Sequence, residues 1–387
     1  MKKIKKVLAS TLAVFSAASA LCIPMGASAE TITDESGLYI KTSEVPDDVV
    51  SYARDMFSHF TYNDVTNLGF TTNQVSNMKL SKPFTVNNVG NQSNDYTQFY
   101  FPVLSDFDIS AMFIVNVDNT DNSMNYQFGK DELSIALNNF TSSADNPVSI
   151  CMGDDCCFTI DSNNETDILY TYVDMPTAIP DVEVVPASEL DTSSVVLISE
   201  DNTYSDLLKH NMARTYIGIK LSVPYVDNYT YLDTNGKKHG TCWASCLGSL
   251  ASYYANPSTG GSDSDASNLR YAAISKYGKT GSIDTAVSGV LYYSNVSMTK
   301  TNGKYSWATL KSKISKKSPA YTSWTASSSA HAMVLSGYRY ENTAPNNTAY
   351  YGIYAMDPNN GNNVLVSYNG TYTINGNSYS WSNSAAK

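Results

Sequence analysis

The run His239-Gly-Thr-Cys-Trp-Ala-Ser-Cys-Leu-Gly-Ser-Leu250 sets a thiol, Cys242, just inside a stretch whose composition predicts the start of a helix. A thiol attacks as its thiolate, and free cysteine is mostly protonated near neutral pH, so a reactive site must favour the anion. The unpaired amides and macrodipole of a helix N-terminus do so. One turn further in, Cys246 is expected in the core, and Trp243 is expected to flank the site and exclude water. A nucleophilic cysteine also needs a base, usually histidine. Of the four histidines, His59 and His210 precede the helix by far, and His239 is too close along an irregular loop to aim at the sulfur. His331 opens the strand-like run His-Ala-Met-Val-Leu-Ser-Gly-Tyr-Arg-Tyr. Pairing Tyr340 with Ala349 across a hairpin sets His331 opposite Pro358, with Asp357 beside it. A carboxylate there can accept the second imidazole N–H and fix the tautomer. Asn359, two residues on, is the alternative orienting group. Such a set supports attack on a carbonyl carbon through a covalent acyl intermediate.

The elements that must carry these residues are legible in outline. Helices are predicted over 46–60, 130–139, 241–254, 265–277, 285–293 and 306–317. Strands are predicted over 98–104, 109–117, 125–128, 149–160, 168–173 and 217–225, and then from 320 to the C-terminus. The fold class is α+β throughout: a strand-rich first half, then helices followed by an antiparallel sheet, two lobes able to face each other across a cleft.

Charge divides the 387-residue chain. Residues 30–210 carry 29 acids against 6 bases, a net of −23, whereas residues 211–387 carry 7 acids against 15 bases, a net of +8. Opposite fields of this size predict that the halves attract one another. Fifteen bases spread over the second half, with no reading motif, argue against nucleic-acid binding. The first six residues hold four lysines, an apolar run follows, and Ala27-Ser28-Ala29 makes a small-residue cleavage site. That reads as a secretory signal peptide over 1–29 and predicts an exported protein with no membrane span. The remaining divisions are an acidic α+β domain over 30–175, a proline-bearing linker over 176–210 that is open to cleavage, and a second domain over 211–387. Past the signal stand Cys151, Cys156, Cys157, Cys242 and Cys246, an odd count that leaves at least one free thiol. The first three suggest a disulfide plus a spare thiol rather than a metal site, since no histidine joins them. Gly278-Lys279-Thr280 is not a phosphate loop, because Ala273 stands where the first glycine is required. Neither a metal nor an organic cofactor is implied.

Cys-Trp at a helix start, His-Ala-Met-Val-Leu-Ser-Gly-Tyr on a strand and then Met-Asp-Pro resemble the papain-like cysteine peptidases. The likeness runs over about residues 215–387 and is nearest to the secreted bacterial group related to the staphopains and the double-glycine leader peptidases, which Leu221-Ser-Val-Pro-Tyr-Val and Lys317-Ser-Pro-Ala-Tyr also resemble. The resemblance implies Cys242 as nucleophile, His331 as base, Asp357 as orienting group, and a protein or peptide substrate. It also implies that the acidic half is a prodomain, an intramolecular inhibitor removed on maturation. One departure stands out. The family places an oxyanion-binding glutamine shortly before the nucleophile, and here the last glutamine is Gln127. Asn228, after Val-Pro-Tyr-Val-Asp, is the expected substitute, with Asn235 and His239 behind it. Two rival readings remain at this level: a transglutaminase-like acyltransferase or cell-wall peptide amidase, since Cys-Trp occurs in transglutaminases too, and an inactive surface-binding protein, which the missing glutamine would explain.

Overall fold

The computed structural model describes residues 37–89, 95–172, 186–190, 192–204, 216–232, 238–327, 329–342, 347–359 and 362–387. The expected signal peptide, Asn235, His210 and much of the expected linker lie outside these residues. From residue 37 on, the described chain is mixed α+β and forms one unit.

Helices begin where polar caps allow. Asp263–Tyr277, Ile283–Ser294 and Trp307–Ser315 start behind Ser262, Ser282 and Ser306, each accepting from a backbone N–H inside the first turn. Two short helices absent from the sequence reading, Tyr62–Thr66 and Thr72–Asn77, both open with a capping box, Thr61 with Asp64 and Thr71 with Gln74. The central helix, Cys242–Ala255, is buried from Trp243 to Tyr254. It therefore shows no amphipathic stripe and needs neighbours on every side. Gly248 lets one of them come close: a Cβ there would stand 2.3 Å from the Ala266 carbonyl oxygen of the next helix.

Behind these helices runs a sheet whose order joins both halves of the chain. From the N-terminal half come Tyr96–Ser105, Asp108–Asp118 and Met124–Gly129; the sheet continues through Asn362–Ser367, Gly352–Asp357, Ala330–Glu341, Ala320–Thr325 and Asn377–Ala386. The seam is the antiparallel pairing of Leu365 with Phe128 and Val366 with Gln127. Tyr354 and Leu365 share a core with Phe57, Phe60 and Phe128 from the other side of the seam. Arg339 crosses it too, its Nε 3.2 Å from Asp64 Oδ1 and its guanidinium over the rings of Phe60 and Tyr216. His59 lies 3.6 Å from Glu341 in a second buried pair. The halves are thus joined by a shared sheet, apolar side chains and buried polar groups.

Two further expectations change. Within 176–210, Ser194–Ile198 pairs with Leu38–Thr42 and Thr203–Tyr204 pairs with Lys79–Ser81, so part of the expected linker is built into the N-terminal half. No disulfide joins Cys151, Cys156 and Cys157; all five described thiols are free. The hairpin explains part of this. Cys151 pairs with Phe158 and Cys157 with Met152, which sends Cys151 and Cys157 to opposite faces of the sheet. Among the described residues no helix is long and apolar enough to cross a membrane, and no group of three or more His, Cys, Asp or Glu is arranged to hold a metal ion.

Candidate active site

Cys242 is the first residue of its helix. Six of the eight described helices carry a side-chain cap, but this one has none and no acid in its first turn. The Thr241 hydroxyl donates instead to the Tyr229 carbonyl, 3.0 Å away. The positive end of a 14-residue helix is therefore left facing the thiol. Trp243 does not flank the site as expected. One residue along a helix is a turn of about 100°, and this ring enters the core over Gly281, with Nε1 donating to the Lys279 carbonyl. Cys246 is fully buried, as expected one turn in, and burial pushes its thiol well up.

His331 stands one residue inside the strand Ala330–Glu341, where it pairs with Trp324 of the preceding strand. The register on its other side decides the site. Leu335 pairs with Ala355 and Val334 with Met356, while beyond a bulge at Ser336 the count slips and Gly337 pairs with Tyr354. Residues opposite one another share a face, and faces alternate along a strand. Continued by one step, the Val334–Met356 register sets Asp357 opposite Met333, on the same face as His331. The register expected from the sequence, Tyr340 with Ala349, is off by one at this end and would have sent Asp357 to the far face. The Asp357 strand also starts later than expected, at Gly352, after a 3₁₀ turn over Thr348–Tyr350.

On the shared face, His331 Nε2 meets Asp357 Oδ1 at 2.7 Å. Asp357 Oδ1 also accepts from the Asn359 backbone N–H at 2.9 Å, and Oδ2 accepts from the Tyr372 hydroxyl. All of Asp357's close partners donate, so the carboxylate is fully engaged while only 1% exposed. With Nε2 committed, Nδ1 remains for Cys242, whose side chain hydrogen-bonds His331. Burial opposes charge on this ring, but the carboxylate of Asp357 and the bond to Cys242 outweigh it and raise the imidazole from 6.5 to about 10. His331 is held as an imidazolium.

Cys242 and His331 open on one cavity of about 420 Å³, lined also by Asn228, Asn359 and Tyr379, and on the N-terminal side by Glu132, Thr171 and Tyr172. Asn228 lies against Gly240, two residues before the thiol; a Cβ on that glycine would stand 3.1 Å from Asn228 Nδ2. One of its two amide N–H donors goes to Asn359 Oδ1 at 2.7 Å, and its own Oδ1 accepts from the Tyr229 backbone N–H. Asn359 thus supports Asn228 and Asp357 and does not take Asp357's place on the imidazole. Sequence reasoning missed Tyr372 and Tyr379. In a chain with 29 tyrosines neither carries a local signal, since each matters only through what the fold sets beside it.

No curated protein matches this sequence. The rival acyltransferase, amidase and inactive-binder readings gain nothing from the family match, which also does not extend to the staphopain or leader-peptidase subgroup. Residues 221–373, a span that holds Asn228, Cys242, His331, Asp357 and Tyr372, match the model of a family described as papain-like cysteine protease AvrRpt2, and the match supports a papain-like cysteine protease.

Proposed function

We propose that this protein is an exported cysteine endopeptidase with a two-lobed papain-like catalytic domain, made as a zymogen whose acidic half covers the cleft until the chain is cut within 176–210. The observation that carries the catalytic part is the line Cys242, His331, Asp357 on the wall of one cavity, with Nε2 bonded to the carboxylate and Nδ1 left toward the thiol.

In this reading the Cys242 sulfur adds to a peptide carbonyl carbon. The second N–H of the Asn228 amide and the Cys242 backbone N–H donate to the resulting oxyanion. The imidazolium of His331 passes its Nδ1 proton to the departing amine as the C–N bond breaks, leaving a thioester. The neutral ring then takes a proton from water, whose oxygen attacks the thioester; the acid leaves, and the Cys242 thiolate and the His331 imidazolium are restored. Asp357 holds the ring orientation throughout and stabilises its charged form. Glu132, Thr171 and Tyr172 on the cavity wall support the covering role of the N-terminal half.

The full chain and its processed form are to be incubated with an unfolded protein and, separately, with iodoacetamide. Peptide fragments and alkylation of Cys242 faster than free cysteine at pH 7 are expected, and Cys242→Ala should abolish both and accumulate precursor if maturation is autocatalytic. A chain that yields no fragments in either form sinks the peptidase reading.

A further inference from the structure

The segment 371–373 is gripped from across the seam. The Thr373 backbone N–H donates to Gln127 Oε1 at 2.5 Å while Gln127 Nε2 donates back to the Thr373 carbonyl at 3.1 Å, a two-point clamp on the backbone of one residue. The Thr373 hydroxyl donates to Asn116 Oδ1 at 2.6 Å, and the Thr371 N–H donates to Asn125 Oδ1 at 3.2 Å. Gln127, Asn116, Asn125, Thr371 and Thr373 are all buried. Between the two gripped threonines sits Tyr372, 2% exposed, whose hydroxyl ends on Asp357 Oδ2. The strand that supplies Gln127 is also the strand that extends the catalytic-half sheet at Phe128 and Gln127.

A covering segment needs none of this. Blocking a cleft requires contact with its rim, whereas these buried bonds hold the segment whose Tyr372 reaches the carboxylate of Asp357. Buried polar networks fix geometry when every member is satisfied, and truncating one partner leaves the others buried and unpaired.

We propose that the platform Tyr96–Gly129 of the N-terminal half is a lasting part of the catalytic machinery, which clamps Tyr372 through Gln127 and so orients Asp357, and that it stays bound after the linker is cut. Gln127 and Tyr372 are positioning residues here. The proposal rests on the peptidase reading for its kinetic arm and alters that reading in one respect: only the part of the N-terminal half at the cavity mouth, around Thr171 and Tyr172, must move on activation.

The first test needs no variant. Full-length protein cut within 176–210 is to be passed over a sizing column in 1 M NaCl. The two fragments should co-elute with undiminished Cys242 alkylation, because the seam is hydrogen-bonded and apolar; fragments that part while the C-terminal one keeps its reactivity overturn the proposal. The second uses Gln127→Met, which keeps volume but removes the clamp, Tyr372→Phe, which removes only the hydroxyl, and the double variant. Each single change should lower kcat and the Cys242 alkylation rate about tenfold, as a buried hydrogen bond to a charged group predicts, with KM unchanged. The double variant should be no slower than Tyr372→Phe alone, since Gln127 acts through Tyr372. Additive losses, or wild-type rates in a folded Gln127→Met protein, overturn the proposal. Should Gln127→Met fail to fold, the sizing result decides. Alkylation that responds as expected in proteins that hydrolyse no peptide counts against the peptidase reading alone.

Discussion

Replacing Asp357 with asparagine keeps the shape of the site and removes the charge that holds His331 protonated. The imidazole is 6% exposed, so burial alone would drive it below its ordinary value, yet the carboxylate 2.7 Å from Nε2 and the bond to Cys242 raise it to about 10. Against an ordinary 6.5 this is a preference for the charged ring of roughly 5 kcal/mol. A group whose pKa is raised by folding contributes its stability in full below the unfolded value of 6.5 and loses it as pH climbs to about 10. Wild type should therefore exceed Asp357→Asn by about 3–5 kcal/mol at pH 6, the usual cost of stripping one partner from a buried pair. That gap should shrink between pH 6.5 and about 10. Urea midpoints of both proteins at pH 6, 8 and 10.5 give the gap directly, and taking the difference removes the destabilisation that tyrosine ionisation brings to each alike. Peptide hydrolysis at pH 7 should fall at least a hundredfold in kcat, because a neutral ring has no proton for the departing amine. A stability gap that stays constant from pH 6 to 10.5 would refute the reasoning, for it would mean that the ring carries no charge that Asp357 supports.

Three other outcomes are expected. Asn228→Ala should lower kcat by about 10²–10³ with little change in KM, measured on a peptide substrate, because it removes an oxyanion donor and leaves Cys242 and His331 in place. Gly248→Ala should cost at least about 1–3 kcal/mol in thermal or urea unfolding: its Cβ would meet the Ala266 carbonyl oxygen at 2.3 Å, and backbone cannot turn aside as a side chain can. Asp64→Asn should destabilise the full chain by about 3 kcal/mol in urea, since Arg339, 2% exposed, would keep its charge and lose its carboxylate partner at 3.2 Å.

Much of the site was legible because its chemistry is local. Gly240-Thr241 before Cys242-Trp243 marks a helix start, and a histidine that opens an apolar strand is visible in the letters. Simple hairpin pairing of Tyr340 with Ala349 brings Asp357 near His331 with the register one residue out. What rescues the pairing is the bulge at Ser336, a buried residue whose backbone carbonyl turns to accept from the Leu221 N–H at 2.8 Å. A bulge is a compromise between neighbours on both sides of a strand, so a single hairpin cannot reveal it. The direction of Trp243 is hidden in the sequence for a similar reason. Adjacency in sequence suggested adjacency at the cavity, whereas a helix separates neighbours by its own rotation.

The division of charge does not reveal this seam, for a physical reason. Net charge sums surface groups, and it says nothing about which backbone edges or amide side chains are buried between two segments. Here Gln127, Asn125, Asn116 and Gln98 carry no charge, yet they bridge the seam to Thr373, Thr371 and Gly376, while the Asp64–Arg339 pair is one acid and one base among many. In the sequence those amides look like ordinary polar residues alternating along strands. Their role follows only from the edge at Asn362–Ser367: an exposed edge strand two positions from the His331 strand would be a liability in an isolated catalytic half, and Met124–Gly129 covers it. The same pairing that removes the edge brings Gln127 to Thr373, and through Tyr372 to Asp357. Closing the sheet and aligning the carboxylate are therefore one event, and a chain that loses the first must also loosen the second.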